Sequence, residues 1–165
     1  MSQQVEAKPV VSRTITVAAT QERAFEVFTE QIGSWWPKDY HIGEADMADF
    51  VLEPKVGGRW YEVGVDGTEC ETGRVTAYEP PDRVVLAWHL NGSWRHDPDP
   101  AHASEVEILF IAEGDGRTRV ELEHRHLERH LQDADAVHGA VDGPGGWDFC
   151  LAAYADAVRK LSAAS

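Results

Sequence analysis

Apolar and polar positions first alternate and then recur at helical spacing, and that change of period sets out the first thirty residues. Val11, Arg13, Ile15 and Val17 alternate with Ser12, Thr14 and Thr16, a β-branched strand pattern with Arg13 breaking its apolar face. Thr20 stands where a helix N-cap is expected, and Ala24, Phe25, Val27, Phe28 and Ile32 follow at helical spacing up to Gly33. After an irregular stretch at 34–49, strand-like runs succeed one another at 50–53, 58–65, 69–78, 83–90, 104–112 and 117–127. Asp66-Gly67 and Gly114-Asp115-Gly116 read as hairpin turns, and Pro80-Pro81-Asp82 as a corner. The loop 91–102 carries Trp94 and two Asp-Pro breaks. Residues 128–145 read as a loop or a short irregular helix. Trp147, Cys150, Leu151, Tyr154, Val158 and Leu161 then recur every three to four positions, the stripe of one long amphipathic helix.

The order is strand, helix, about six strands and a long helix. No strand–helix–strand alternation appears, so the sheet should be antiparallel and the class α+β. A curved sheet of about six or seven strands wrapped on a long C-terminal helix leaves space between the two, which is where a pocket is expected. Residues 1–9 are expected to form a disordered leader and 10–165 a single domain, which suits a chain of 165 residues.

Charge narrows the partners. The sequence holds 29 Asp+Glu against 15 Lys+Arg, a net charge of −14. Such a balance repels a phosphate backbone and an anionic membrane surface, so neither nucleic acid nor membrane is expected as a partner. No apolar run reaches the roughly 18 residues of a membrane span, and Met1 to Pro9 lacks a signal-type apolar stretch. Cys70 and Cys150 are expected to be reduced thiols in a cytoplasmic protein. The sequence specifies no oligomeric state and leaves a homodimer open.

Three segments resemble the heat-shock-protein-90 ATPase activator-like branch of the START-like (SRPBCC) superfamily. The first is residues 20–28, with the pair Ala24-Phe25 ahead of Phe28. The second runs from Lys55-Val56-Gly57-Gly58-Arg59-Trp60-Tyr61-Glu62 through Asp66-Gly67-Thr68-Glu69 and Gly73-Arg74-Val75 to the stretch from Glu79-Pro80-Pro81 to Ala87-Trp88. The third is Gly145-Gly146-Trp147-Asp148 at the start of the last helix. The resemblance covers about residues 11–162 and implies a helix-grip fold of the START-like, Bet v-like kind. It also implies a role among ligand-binding proteins, polyketide cyclases or chaperone activators.

Aromatic side chains are the leading candidates for chemistry at such a pocket, because they offer large apolar faces with an N–H or O–H handle. Trp35, Trp36, Tyr40, Phe50, Trp60, Tyr61, Trp88, Phe110, Trp147 and Tyr154 are the expected ligand walls, with plain core packing as the alternative for each. On the strand 120–127, Val120, Leu122, His124 and His126 share one parity, so both histidines should face wherever the apolar residues face. Two histidines so placed suit acid/base work or a metal, but a metal needs further ligands, and His41, His89 or Glu62 would have to converge through the fold. No metal site and no cofactor are expected. Glu62 shares a face with Trp60 and is the candidate carboxylate, either oriented inward or facing solvent. His89 and Trp88 have opposite parity, so one of the two should face solvent.

No G-x-S-x-G elbow, P-loop or G-x-G-x-x-G motif is present. The leading expectation is therefore a protein that encloses a hydrophobic or amphipathic small molecule. An aromatase/cyclase-like enzyme using His124, His126 or Glu62 is the alternative, and a chaperone-type adaptor the third reading.

Overall fold

The computed structural model describes residues 10–40 and 42–163. The expected leader at 1–9 and His41 lie outside the described residues. Strand β1 (Val11–Val17) leads directly into helix α1 (Gln21–Thr29), and Thr20 caps it, its hydroxyl accepting the Arg23 N–H at 3.2 Å. Strands β2 (Met47–Leu52), β3 (Arg59–Gly64), β4 (Glu69–Glu79), β5 (Arg83–Trp88), β6 (Ser104–Ala112) and β7 (Thr118–Arg125) follow. The long helix α3 (Trp147–Ala163) closes the order. The segment 128–145, which the sequence reads as a loop or a short irregular helix, holds most of a 3₁₀ stretch at Leu127–Asp133 and a true helix α2, Ala134–Asp142, and the 3₁₀ stretch takes Leu127 out of the expected strand. Val137 and Val141 bury the inner side of α2, an apolar pair too sparse to stand out among its glycine and histidine.

All seven strands join one antiparallel sheet in the order β1-β7-β6-β5-β4-β3-β2. The register shifts between Met47 and Asp49, between Trp60 and Tyr61, and between Val75 and Ala77. The extra residues are Ala48 in β2 and Thr72 and Thr76 in β4, and bulges of this kind bend a strand and increase its twist. The sheet curls into a half-barrel around α1 and α3, the helix-grip arrangement.

One close approach holds the bend. Gly73 in β4 lies between Trp60 of β3 and Trp88 of β5, and the Trp60 indole crosses it to donate to the Ala87 carbonyl at 3.0 Å. A Cβ at position 73 would lie 1.7 Å from that carbonyl oxygen and 2.7 Å from the indole nitrogen. Only glycine leaves room for this bond.

Arg13, the polar interruption in β1, is half-buried and faces the helices. Its guanidinium donates to the Asp148 carboxylate at 2.6 Å and to that of Asp142 at 2.9 Å, tying the first strand to the end of α2 and the start of α3. On the convex face of the sheet, Arg83 and Arg125 both reach Glu107, at 2.5 and 2.8 Å, and Arg125 also meets Glu105 and Glu123. No helix among the described residues is long and apolar enough to cross a membrane.

Gly73→Ala is expected to destabilise the protein by about 2–4 kcal/mol, through overpacking and loss of the Trp60–Ala87 bond. Urea denaturation checks this; a variant as stable as the parent would mean that β4 moves aside freely.

Candidate functional site

The sequence of β3 alternates, with Trp60, Glu62 and Gly64 buried and Arg59, Tyr61 and Val63 half-buried. The buried set faces a cleft between the β2–β5 half of the sheet and the start of α3. The cleft has a volume of about 1320 Å³. Trp36, Phe50, Trp88 and Trp147 form its aromatic wall, and Tyr40 and Trp94 stand at its mouth. The wall rings pack on one another: Trp36 stacks on Phe50 at 4.7 Å between centroids and meets Trp147 edge-on at 6.2 Å, while Trp88 meets Trp147 at 5.9 Å. Interlocked rings of this kind hold one another in place and give the wall a fixed shape.

The mouth is fastened by polar bonds. The Tyr40 hydroxyl donates to the Gly145 carbonyl at 2.5 Å, and its ring packs against Phe149. Opposite, Trp94 is 43% exposed and adopts a left-handed backbone (φ 61°) that side chains other than glycine rarely take. Its turn is held by the Asn91 side chain, which accepts the Ser93 and Arg95 N–H groups, and by Asp133, which accepts the Gly92 N–H at 3.0 Å.

Glu62 is 1% exposed and lines the cleft, which settles its orientation inward. One carboxylate oxygen accepts the Ile42 N–H at 2.5 Å and the other accepts the Gly43 N–H at 2.9 Å, so the side chain pins the segment that follows Tyr40. Cys70 and Cys150 also line the cleft as free thiols. Burial pushes the Cys70 thiol up and the Cys150 thiol up to about 12, which keeps both protonated and poor nucleophiles.

The histidine pair separates. His124 is fully buried behind the wall, its ring 5.1 Å from that of Trp88. His126 has left the strand in a left-handed conformation and is half-exposed, near Glu105 and Glu128, so the shared parity ends one residue earlier. The Trp147 indole N–H can only donate, and it reaches His124 Nδ1 at 3.1 Å. Nδ1 is therefore the acceptor, and Nε2 carries the proton that His124 donates to Ser104 Oγ at 2.7 Å. Ser104 in turn donates to His130 Nε2 at 2.8 Å. Burial, reinforced by His130 and His138, pushes the His124 pKa down to about 3. A neutral imidazole with both nitrogens engaged is a structural strut.

Trp88 and His89 are both buried, against the parity expectation. The loop after β5 folds back over His89: its Nδ1 lies 2.9 Å from the Asp97 carbonyl and its ring stacks on His96. Trp36, Tyr40, Phe50, Trp88 and Trp147 of the expected walls line the cleft. The others do not reach it. Trp35, Phe110 and Tyr154 pack with Phe28 in the core, and the Trp35 N–H and Tyr154 O–H are spent on the Val27 and Ala24 carbonyls. Trp60 is buried beneath the wall, and Tyr61 lies on the convex face under the Arg59 guanidinium. Among the described residues no cluster of His, Cys, Asp and Glu is arranged to hold a metal ion. The two cysteines and Trp94 reach the cleft from separate elements; of the three, Trp94 is the one whose aromatic side chain makes it a candidate for a ligand chamber from sequence.

The profile of the Activator of Hsp90 ATPase homolog 1-like protein family matches residues 18–152. Among solved structures, the chain is similar to an anthrahydroquino-γ-pyrone synthase solved in complex with a ligand. The two are 42% identical, with a TM-score of 0.64 over 90% of this chain and 96% of that one. It is also similar to CalC, a self-sacrificing resistance protein from Micromonospora echinospora, at 34% identity and a TM-score of 0.69, covering 93% of this chain and 96% of that one. A protein from Nitrosomonas europaea shares the fold at 15% identity and a TM-score of 0.65, covering 96% and 99%. No curated protein sequence matches.

The His124 strut makes stability depend on pH. Its pKa is lower folded than unfolded, about 3 against 6.5, so the unfolded chain binds the extra proton between those values. The stabilisation is complete above pH 6.5 and is lost as pH falls, at up to about 1.4 kcal/mol per unit. Denaturation midpoints at pH 4.5–7 should show a shallower pH slope in His124→Asn than in the parent. Equal slopes would mean that His124 is charged or solvated in the fold.

Proposed function

The chain belongs to the Activator of Hsp90 ATPase homolog 1-like family, and from that membership and the shape of its cleft we propose that it binds a flat, polycyclic aromatic small molecule of polyketide type. The observation that carries this reading is the preformed wall of Trp36, Phe50, Trp88 and Trp147, with Trp94 and Tyr40 at the mouth. Wide indole faces favour fused rings by stacking and apolar burial, and their mutual packing keeps the cost of ordering them low. The 42% identical neighbour, a synthase of an anthrahydroquinone-fused pyrone, supports the same ligand class.

Binding without turnover agrees best with the side chains present. His124 is sealed behind the wall, His126 is at the surface, and Glu62 has an amide on each carboxylate oxygen. A second reading, ring closure on a bound aromatic substrate, is favoured by the synthase relative and by Glu62 standing in the cleft. An o-hydroxyaryl β-diketone separates the two. A binder returns it unchanged, whereas an enzyme converts it to the pyrone with loss of one water.

Titration with 1,8-dihydroxyanthraquinone, followed by tryptophan fluorescence and calorimetry, tests the binding reading. Trp94→Ala and Trp36→Ala should each weaken affinity about tenfold, a change of about 1.4 kcal/mol, and Tyr61→Ala should not. Trp94 is half-exposed, so its variant should fold as the parent does. Absence of binding by the parent, or the parent's affinity retained in both tryptophan variants, would remove the aromatic wall as the binding surface.

A further inference from the structure

Resting on that reading, we infer that the cleft selects aromatic ligands carrying a protonated amine and discriminates against carboxylated or phosphorylated ones. Two independent features meet there. The first is the aromatic mouth, where Tyr40 and Trp94 present π-faces at which an ammonium is attracted by the ring quadrupole. The second is a local excess of carboxylates. Glu69 and Glu71 at the rim are neutralised by Arg59 at 3.2 Å and Arg74 at 2.7 Å. Asp39, Glu44, Glu62 and Asp66 also line the cleft and, among the described residues, meet no cation in an ion pair; against these four stands one arginine, Arg95. Lys38, next in sequence to Asp39, donates instead to the Ala48 carbonyl.

Glu62 makes the charge asymmetry specific to the cleft. It is 1% exposed, aimed into the cavity and held by two neutral backbone amides. A buried carboxylate so held has gained hydrogen bonds but no counter-charge, and a ligand ammonium would supply one where water screens least. An anionic ligand would meet repulsion from the same group. Glu44 and Asp39 at the mouth extend the field outward, where it guides approach and is screened by salt. The occupant is defined by its chemistry: fused aromatic rings with an alkylamine or amino-sugar nitrogen.

Three probes of equal ring size test this, 9-(aminomethyl)anthracene, 9-anthracenemethanol and anthracene-9-carboxylate, titrated at pH 7 in 50 mM and 500 mM salt. The ammonium should bind about tenfold tighter than the alcohol, and the carboxylate about tenfold weaker. Asp39→Asn with Glu44→Gln should cut the ammonium-to-alcohol ratio about threefold. Glu22→Gln with Asp115→Asn removes two charges that do not line the cleft and should leave that ratio unchanged. Equal affinity for all three probes would overturn the charge selection and leave the aromatic reading standing; no binding by any would overturn both. Equal loss of ratio in the two double variants would assign the preference to net charge and overturn the role of the cleft.

Discussion

The start of the closing helix is fixed by one buried hydrogen bond, from the Trp147 indole to His124. An indole N–H cannot accept, so the bond exists only if His124 leaves Nδ1 bare, and that choice passes along the chain. His124 must then give its proton to Ser104, and Ser104 must give its own to His130. Four elements are joined in one direction: the first turn of α3, the neighbouring strands β7 and β6, and the 3₁₀ stretch after β7. Protonating His124 would put a proton on Nδ1 opposite the indole N–H, two donors facing each other at a fully buried position, which is why such a network specifies one arrangement. Trp147, part of the wall of the cleft, stands on this strut.

Above it, the wall of the cleft and the hydrophobic core are the same set of rings. Trp36 touches Phe50, Trp60 and Trp147, and Trp88 touches Trp60, Trp94 and Trp147. Trp60 anchors the group from below because Gly73 lets its indole reach the Ala87 carbonyl. Trp36, Phe50 and Trp88 are thus held from behind by Trp60, and Trp147 by His124. A wall so supported cannot collapse into the cleft without breaking core contacts, and it needs little ordering when a flat ligand enters.

Periodicity made the architecture legible, because strands and helices carry their burial pattern in their own residues. The two ends of the chain, the six later strands and the α+β order were readable for that reason. Parity carried His124 inward correctly and failed for His126, where the strand ends in a left-handed turn that no alternation signals. It failed again at Trp88 and His89, because the loop that follows β5 folds back and covers its outer side. Glu62 stayed ambiguous because its burial depends on amides of residues 42 and 43, in a segment without a pattern. Which tryptophans line the cleft and which fill the core depends on crossing angles and bulges, and the sequence states neither.

The acidic composition looks uniform along the chain, but the fold sorts it. Alternation in β6 and β7 sends Glu105, Glu107, Glu121 and Glu123 to the convex face, where Arg83, Arg119 and Arg125 meet them. These pairs are partly exposed and each adds little to stability. Their consequence is spatial: they occupy arginines on the side away from the cleft. The carboxylates of the β3–β4 end and of the irregular segment before β2 have fewer such partners, and those are the elements that build the mouth. Net charge alone would repel any anion from any face. A field concentrated beside aromatic rings and one buried carboxylate adds direction: it would draw a cation, and not an anion, to the side of the molecule that carries the rings.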